Sequence, residues 1–154
     1  MHPLVISKKM PAEAIPYEWL LLADPSKTII DNYMYRGQVY IARIDDCVVG
    51  VYVLLSTRPE MVELVNVAVA EQEQGKGIGQ QLVNHAIITA QSQGFKTIEV
   101  GTGNSSIGQL AMYQKCGFRI TGIDMDFFVK HYSEEIIENG IICRDMIRLA
   151  QDLF

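Results

Sequence analysis

The amino-acid sequence predicts an α/β fold in a single domain, residues 1–154, built on a mixed, mostly antiparallel twisted sheet flanked by helices. Three observations carry this. Strand-like runs follow one another from Gln38 to Val69 with only turn residues between them. From Ile78 the apolar spacing changes to the helical period. Residues 96–100 then read as a strand again, so a strand-helix-strand unit lies mid-chain and should form a right-handed parallel crossover.

The elements follow in order. Residues 4–8 make a short first strand, which Pro11 ends. Residues 12–22 and 26–36 read as helical, broken at Asp24-Pro25 because proline disfavours the helical conformation of its predecessor. Gly37 stops the second piece. Strands at 38–44, 47–56 and 61–69 are separated by the turn signals Asp45-Asp46 and Arg58-Pro59-Glu60. Ile78, Leu82, Val83, Ala86, Ile87 and Ala90 form one helical apolar stripe, closed by Gly94. Ser105 or Ser106 caps a helix that runs to Lys115, with Gly117 after it. Residues 118–123 and 144–149 read as the last strands, and 124–140 as a helical segment between them.

Composition excludes several function classes. A formal net charge of -5 disfavours a general nucleic-acid binder, which needs a basic face. It suits a cationic or amine substrate better. Cys47, Cys116 and Cys143 stand far apart, with no CxxC and no metal-ligand spacing, so neither a disulfide nor a metal is expected. No leader-like run and no membrane-length apolar stretch is seen, and a cytoplasmic location is expected.

The densest signal is Gln74-Gly75-Lys76-Gly77-Ile78-Gly79-Gln80, between a strand and a helix. Its glycines permit close approach of a ligand to the backbone. The unpaired amides and the dipole of the helix start suit a phosphate or pyrophosphate, and Lys76 adds a charge nearby. A flexible turn is the plain alternative. A Walker loop fails because Gly77 follows Gly75-Lys76. A Rossmann fingerprint fails because Gln80 stands where glycine is needed.

Gln74-x-x-Gly77-x-Gly79 resembles the [Q/R]xxGx[G/A] signature of the GNAT acetyltransferases. Val67-Ala68-Val69 resembles the end of that family's fourth strand, and Tyr113-Gln114-Lys115-Cys116-Gly117-Phe118 its YxxxGF segment. The element order is also similar. The resemblance implies a GNAT fold, splayed between strands four and five, with acetyl-CoA as co-substrate in the gap. It implies that backbone groups of Val67 and Val69 hold the pantetheine, and that the amides of Gly75, Lys76, Gly77, Ile78, Gly79 and Gln80, after Gln74, hold the pyrophosphate. Where the family often has a cofactor-contacting asparagine, this chain has Ser106, and Asn104 two residues earlier is the expected substitute.

Acetyl transfer to nitrogen needs a neutral amine and a proton for the departing thiolate. By the resemblance, Tyr113 is the general acid. Glu63 is the candidate base, read as sharing a strand face with Val65, Val67 and Val69 by alternation. Asp124, Asp126, Glu134 and Glu135, near His131 and Tyr132, form an acidic concentration that could attract an amine or stand as a solvated face. Cys116 reads as a packed thiol. The expected reaction is direct acetyl transfer to a primary amine of a small molecule. A protein N-terminus or lysine is the variant within the class, and a non-catalytic acyl-CoA-binding regulatory module is the alternative outside it. No nucleic-acid or membrane partner is expected, and a homodimer is left open.

Overall fold

In the computed structural model, residues 2–154 are described. A seven-stranded sheet runs in the order β1-β2-β3-β4-β5-β9-β6. Its strands are β1 (Val5–Lys8), β2 (Gln38–Ile44), β3 (Cys47–Arg58), β4 (Met61–Val69), β5 (Thr97–Gly103), β6 (Arg119–Asp124) and β9 (Met146–Asp152). Every pairing is antiparallel except β4 with β5. The helices are α1 (Tyr17–Ala23), α2 (Lys27–Met34), α3 (Ile78–Ser92), α4 (Ile107–Lys115) and α5 (Phe127–His131). Among the described residues no helix is long and apolar enough to cross a membrane.

Two apolar layers sandwich the sheet. On one face Leu82, Val83, Ala86 and Ala90 of α3 pack on Tyr52, Leu54, Val62 and Leu64. On the other, Leu20 of α1 and Ile30 and Tyr33 of α2 cover Val51, Val53 and Ala68. Alternate strand residues feed the two layers, as a two-sided sheet requires.

Most expected elements stand within a few residues of their place. Helix α1 starts at Tyr17, not at residue 12. Pro16 is its N-cap, because a proline inside the helix would lack the N–H and clash with the preceding turn. The last strand lies at Met146–Asp152, not at 144–149, and is inserted between β5 and β6.

The larger correction concerns residues 124–140, read as helical. Only α5 is helix there. Ile136–Glu138 (β7) and Ile141–Cys143 (β8) form a separate hairpin. Asn139 and Gly140 make its two-residue turn, both with positive φ (54° and 73°), as a type I′ turn demands. Asn-Gly between apolar runs is a strong hairpin signal, so the sequence did carry it.

Gly140→Val should strain this turn by about 1 kcal/mol. We expect Tm to fall by roughly 2–4 °C in thermal unfolding, with faster amide exchange confined to residues 136–143. Unchanged exchange there would show that the turn does not hold the hairpin.

Candidate active site

The site begins where β4 and β5 part. Their parallel ladder runs only from Met61/Thr97 to Leu64/Val100, although β4 continues to Val69 and β5 to Gly103. Val53 pairs with Asn66 and Leu54 with Leu64, so Val65 has no partner on β3 and forms a bulge. Bulges bend a strand and raise its twist, which steers β4 away from β5. Past the bulge, the Ala70 N–H donates to Val49 O on β3 (2.8 Å). Backbone groups alternate between the two edges of a strand, so those of Val67 and Val69 face the gap. The Gln74 amide reaches back to Val69 O (3.0 Å) and ties the loop to the strand end.

The loop and the start of α3 form an amide cradle. Gly77 is the N-cap in the left-handed region (φ 82°), which a residue with a Cβ seldom adopts. No side chain caps the helix, and its first internal bond runs from Gln81 N–H to Gly77 O. The N–H groups of Ile78, Gly79 and Gln80 are thus free of internal partners. A Cβ on Gly79 would lie 3.3 Å from Met112 Sδ, so α3 and α4 meet closely there. Together with Val67, Val69 and Gln74 this cradle borders a cavity of about 640 Å³. Lys76 is not in the lining: its ammonium pairs with Glu73 (2.9 Å) and points to solvent.

A second cavity of about 360 Å³ adjoins the first, with Val67, Gln109 and Glu138 lining both. Tyr113 enters from α4, on the α3 face of the sheet. It is 4% exposed and stacks edge-on against Phe118. Burial pushes its phenol well above the ordinary value, so it holds its proton. Asp24, Asn66 and Tyr132 line the same cavity, and Asn66 belongs to the α1–α2 side. The gap is therefore a passage through the sheet.

Glu63 requires a correction. The Val65 bulge shifts the alternation, so Glu63 shares its face with Asn66 and Ala68, not with Val67. It lies on the still-paired part of β4, beside Glu99 in register, with Arg148 Nη1 at 3.8 Å. It does not line either cavity. Burial raises its pKa, Arg148 pulls it down, and Glu99 raises it again. Glu63 and Asp24 both act electrostatically on the Tyr33 phenol, which burial pushes up to about 12.

Asn104 is also displaced from its expected role. Its Oδ1 accepts from the N–H groups of Arg144 and Asp145 (2.9 and 3.0 Å), and its Nδ2 donates to Ile142 O. With its amide committed to the chain after β8, it lies outside both linings, whereas Ser106 is in the second. The expected acidic concentration is dispersed too. Asp124 pairs with Arg148 (2.7 Å), and neither Asp126, Glu134 nor Glu135 reaches the cavities.

The carboxylates that line the second cavity are instead Asp24 and Glu138, which sequence reasoning missed. Asp24 was legible only as the residue before a helix-breaking proline. Its Oδ1 accepts from Ser26 N–H (3.1 Å) and the Tyr132 hydroxyl (2.9 Å). Burial raises its pKa against the pull of those two bonds. Glu138, on the hairpin, accepts from the hydroxyls of Ser105 (3.0 Å) and Ser106 (2.9 Å). Among the described residues no group of three or more His, Cys, Asp or Glu could hold a metal ion.

This geometry agrees with the comparisons. The model of the acetyltransferase (GNAT) family matches residues 9–118. The uncharacterized N-acetyltransferase YvbK of Bacillus subtilis is 62% identical over 137 residues, covering 89% of this chain and 88% of that protein. The solved structure of an IAA acetyltransferase from Bacillus cereus is 60% identical, with a TM-score of 0.94 over 98% of this chain and all of that one. A GNAT family acetyltransferase from Elizabethkingia anophelis, solved with acetyl-CoA bound, is 47% identical, with a TM-score of 0.96 over 97% of this chain and 98% of that one. With the family pattern spanning most of its length and a sheet that parts between β4 and β5, the chain belongs to the GNAT acetyltransferase family.

Proposed function

We propose that the chain transfers an acetyl group from acetyl-CoA directly to a primary amine of a small molecule. One observation carries this reading: the gap joins an amide cradle on one side to a small cavity lined by a protonated phenol and a carboxylate on the other. The relative that holds acetyl-CoA supports the choice of donor.

The residues present fit that donor. The unpartnered amides of Ile78, Gly79 and Gln80 suit a pyrophosphate at a helix start. The gap-facing backbone of Val67 and Val69 suits the amides of a pantetheine arm. Bound acetyl-CoA supplies the acetyl group as a thioester. Tyr113 keeps a proton at the gap and gives it to the departing thiolate. Glu63, beyond the cavity lining but on the acceptor's face, takes the amine's proton through water. A base must be ionised to act, and burial raises the Glu63 carboxyl, so activity should rise with pH above the usual carboxylate range. A cavity of about 360 Å³ suits a small acceptor better than a folded protein's surface lysine.

Gly77→Val or Gly79→Val should weaken acetyl-CoA binding at least about tenfold in calorimetry, the first through its left-handed φ and the second by pushing on Met112. Unchanged affinity in both would relocate the cradle.

Tyr113→Phe keeps the ring and should lower turnover about 10²- to 10⁴-fold, with acetyl-CoA affinity retained. Full activity would remove the acid assignment.

Glu63→Gln should abolish the acidic limb of the pH–rate profile measured on an accepted amine. An unaltered limb would leave Glu63 as the structural partner of Arg148.

A further inference from the structure

Four elements put apolar side chains into the lining of the second cavity. Leu21 and Leu22 lie in the last turn of α1, Phe128 is on α5 with Tyr132 as its C-cap, Ile136 opens β7 and Met146 opens β9. Leu21 and Leu22 are 38% and 44% exposed, while Leu20 beside them is wholly buried. Leu22 also lines the first cavity, so this apolar surface begins at the cradle. Exposed apolar surface gathered in a concave site with a few polar groups marks a ligand pocket.

The two aromatic rings are fixed in place. Their centroids lie 5.3 Å apart. A Cβ on Gly103 would lie 3.6 Å from Phe128 Cε2, which puts that ring at the end of β5. The Tyr132 hydroxyl donates to Asp24 Oδ1 (2.9 Å), which carries the second ring to the end of α1. Gly103 and Asp24 both line the cavity, so the pair spans it from one element to the other. The Phe128 N–H donates to Arg144 O (3.0 Å) and holds α5 to the chain before β9. Side chains ordered in advance lose little entropy when a ligand arrives.

The charged side chains of the lining are Asp24 and Glu138, and no lysine, arginine or histidine stands with them. Arg148 Nη1 comes within 3.3 Å of where a Cβ on Gly101 would be, but Arg148 is outside the lining and its guanidinium serves Asp124 and Glu63. A carboxylate carried into this cavity would meet like charge without a counter-ion. We propose that Phe128 and Tyr132 hold the ring of the acceptor, so that the preferred substrate is an arylalkylamine without a carboxylate. This rests on the acetyl-transfer reading for its consequence in turnover, but not for the binding itself.

The test compares three amines. Phenethylamine has the ring, 2-cyclohexylethylamine has the same size without an aromatic face, and phenylalanine adds a carboxylate to phenethylamine. Wild-type protein should prefer phenethylamine over the cyclohexyl compound about 2- to 10-fold in kcat/KM, the scale of one aromatic contact. It should prefer it over phenylalanine by at least about tenfold. Phe128→Leu keeps an apolar side chain and should collapse the first preference while leaving the second. KM for acetyl-CoA should not move, because Phe128 is outside the first cavity. Equal kcat/KM for the two rings in the wild type, or a preference that survives Phe128→Leu, would overturn the aromatic site and leave acetyl transfer standing. Phenylalanine used as well as phenethylamine would overturn the exclusion of carboxylates. A calorimetric titration of the CoA-saturated protein with phenethylamine separates the two readings. If no amine releases free thiol, acetyl transfer fails as proposed, while phenethylamine binding weakened in Phe128→Leu still upholds the site and equal binding overturns it.

Discussion

The early end of the β4–β5 ladder is the constraint on which the rest depends. A parallel pair that continued past Leu64 and Val100 would have closed the sheet and consumed the backbone groups of Val67 and Val69. The Val65 bulge prevents this by bending β4. β5 does not lose its support, because β9 pairs with it along its whole other edge, from Thr97 to Gly103. The sheet can therefore stay open on one side of β5 without fraying. An open edge inside a protein leaves polar groups to satisfy. Gln74 satisfies the Val69 carbonyl from within the chain, and the remaining groups stay open to the gap.

Burial governs the proton chemistry around that opening. The phenols of Tyr33, Tyr113 and Tyr132 are all raised mainly by desolvation, so each stays a donor. Asp24 and Glu63 are raised by the same cause, which brings carboxylates nearer to the range where a base is useful. One low-dielectric setting thus keeps the phenols protonated and raises the carboxylates. Across the passage through the sheet, Tyr113 lies on the α3 face and Asp24 and Glu63 on the α1–α2 face.

The β7–β8 hairpin forms one wall of the second cavity. Asn104 fastens the chain that follows it, and Glu138 fastens its first strand to Ser105 and Ser106. Asn139 adds a bond to Ser105 O (2.8 Å). Cys143 packs at its end, 6% exposed, with its sulfur where a Cβ on Gly103 would fall. The hairpin is held to the end of β5 by these side-chain bonds, not by the main sheet. Asn104, which sequence reasoning assigned to the cofactor, thus fastens the chain that walls the second cavity.

What the sequence by itself determined is local. The helical stripe from Ile78, the glycine loop, the turns at Asp45-Asp46 and the strands either side are fixed by spacing and by residues that demand particular backbone angles, so they were legible without a fold. The placement of Tyr113 on a helix beside the gap followed from its motif. The tertiary structure alone decided which residues face one another. Alternation placed Glu63 with Val67, but a single unpaired residue, Val65, moved it to the other face, and a bulge leaves no mark in the apolar pattern. Asp24 and Asn66 are far apart in the chain and meet only because α1 packs on β4, where both bond the Leu20 carbonyl. Long-range pairing of this kind depends on the packing of whole elements, and no window of sequence contains it.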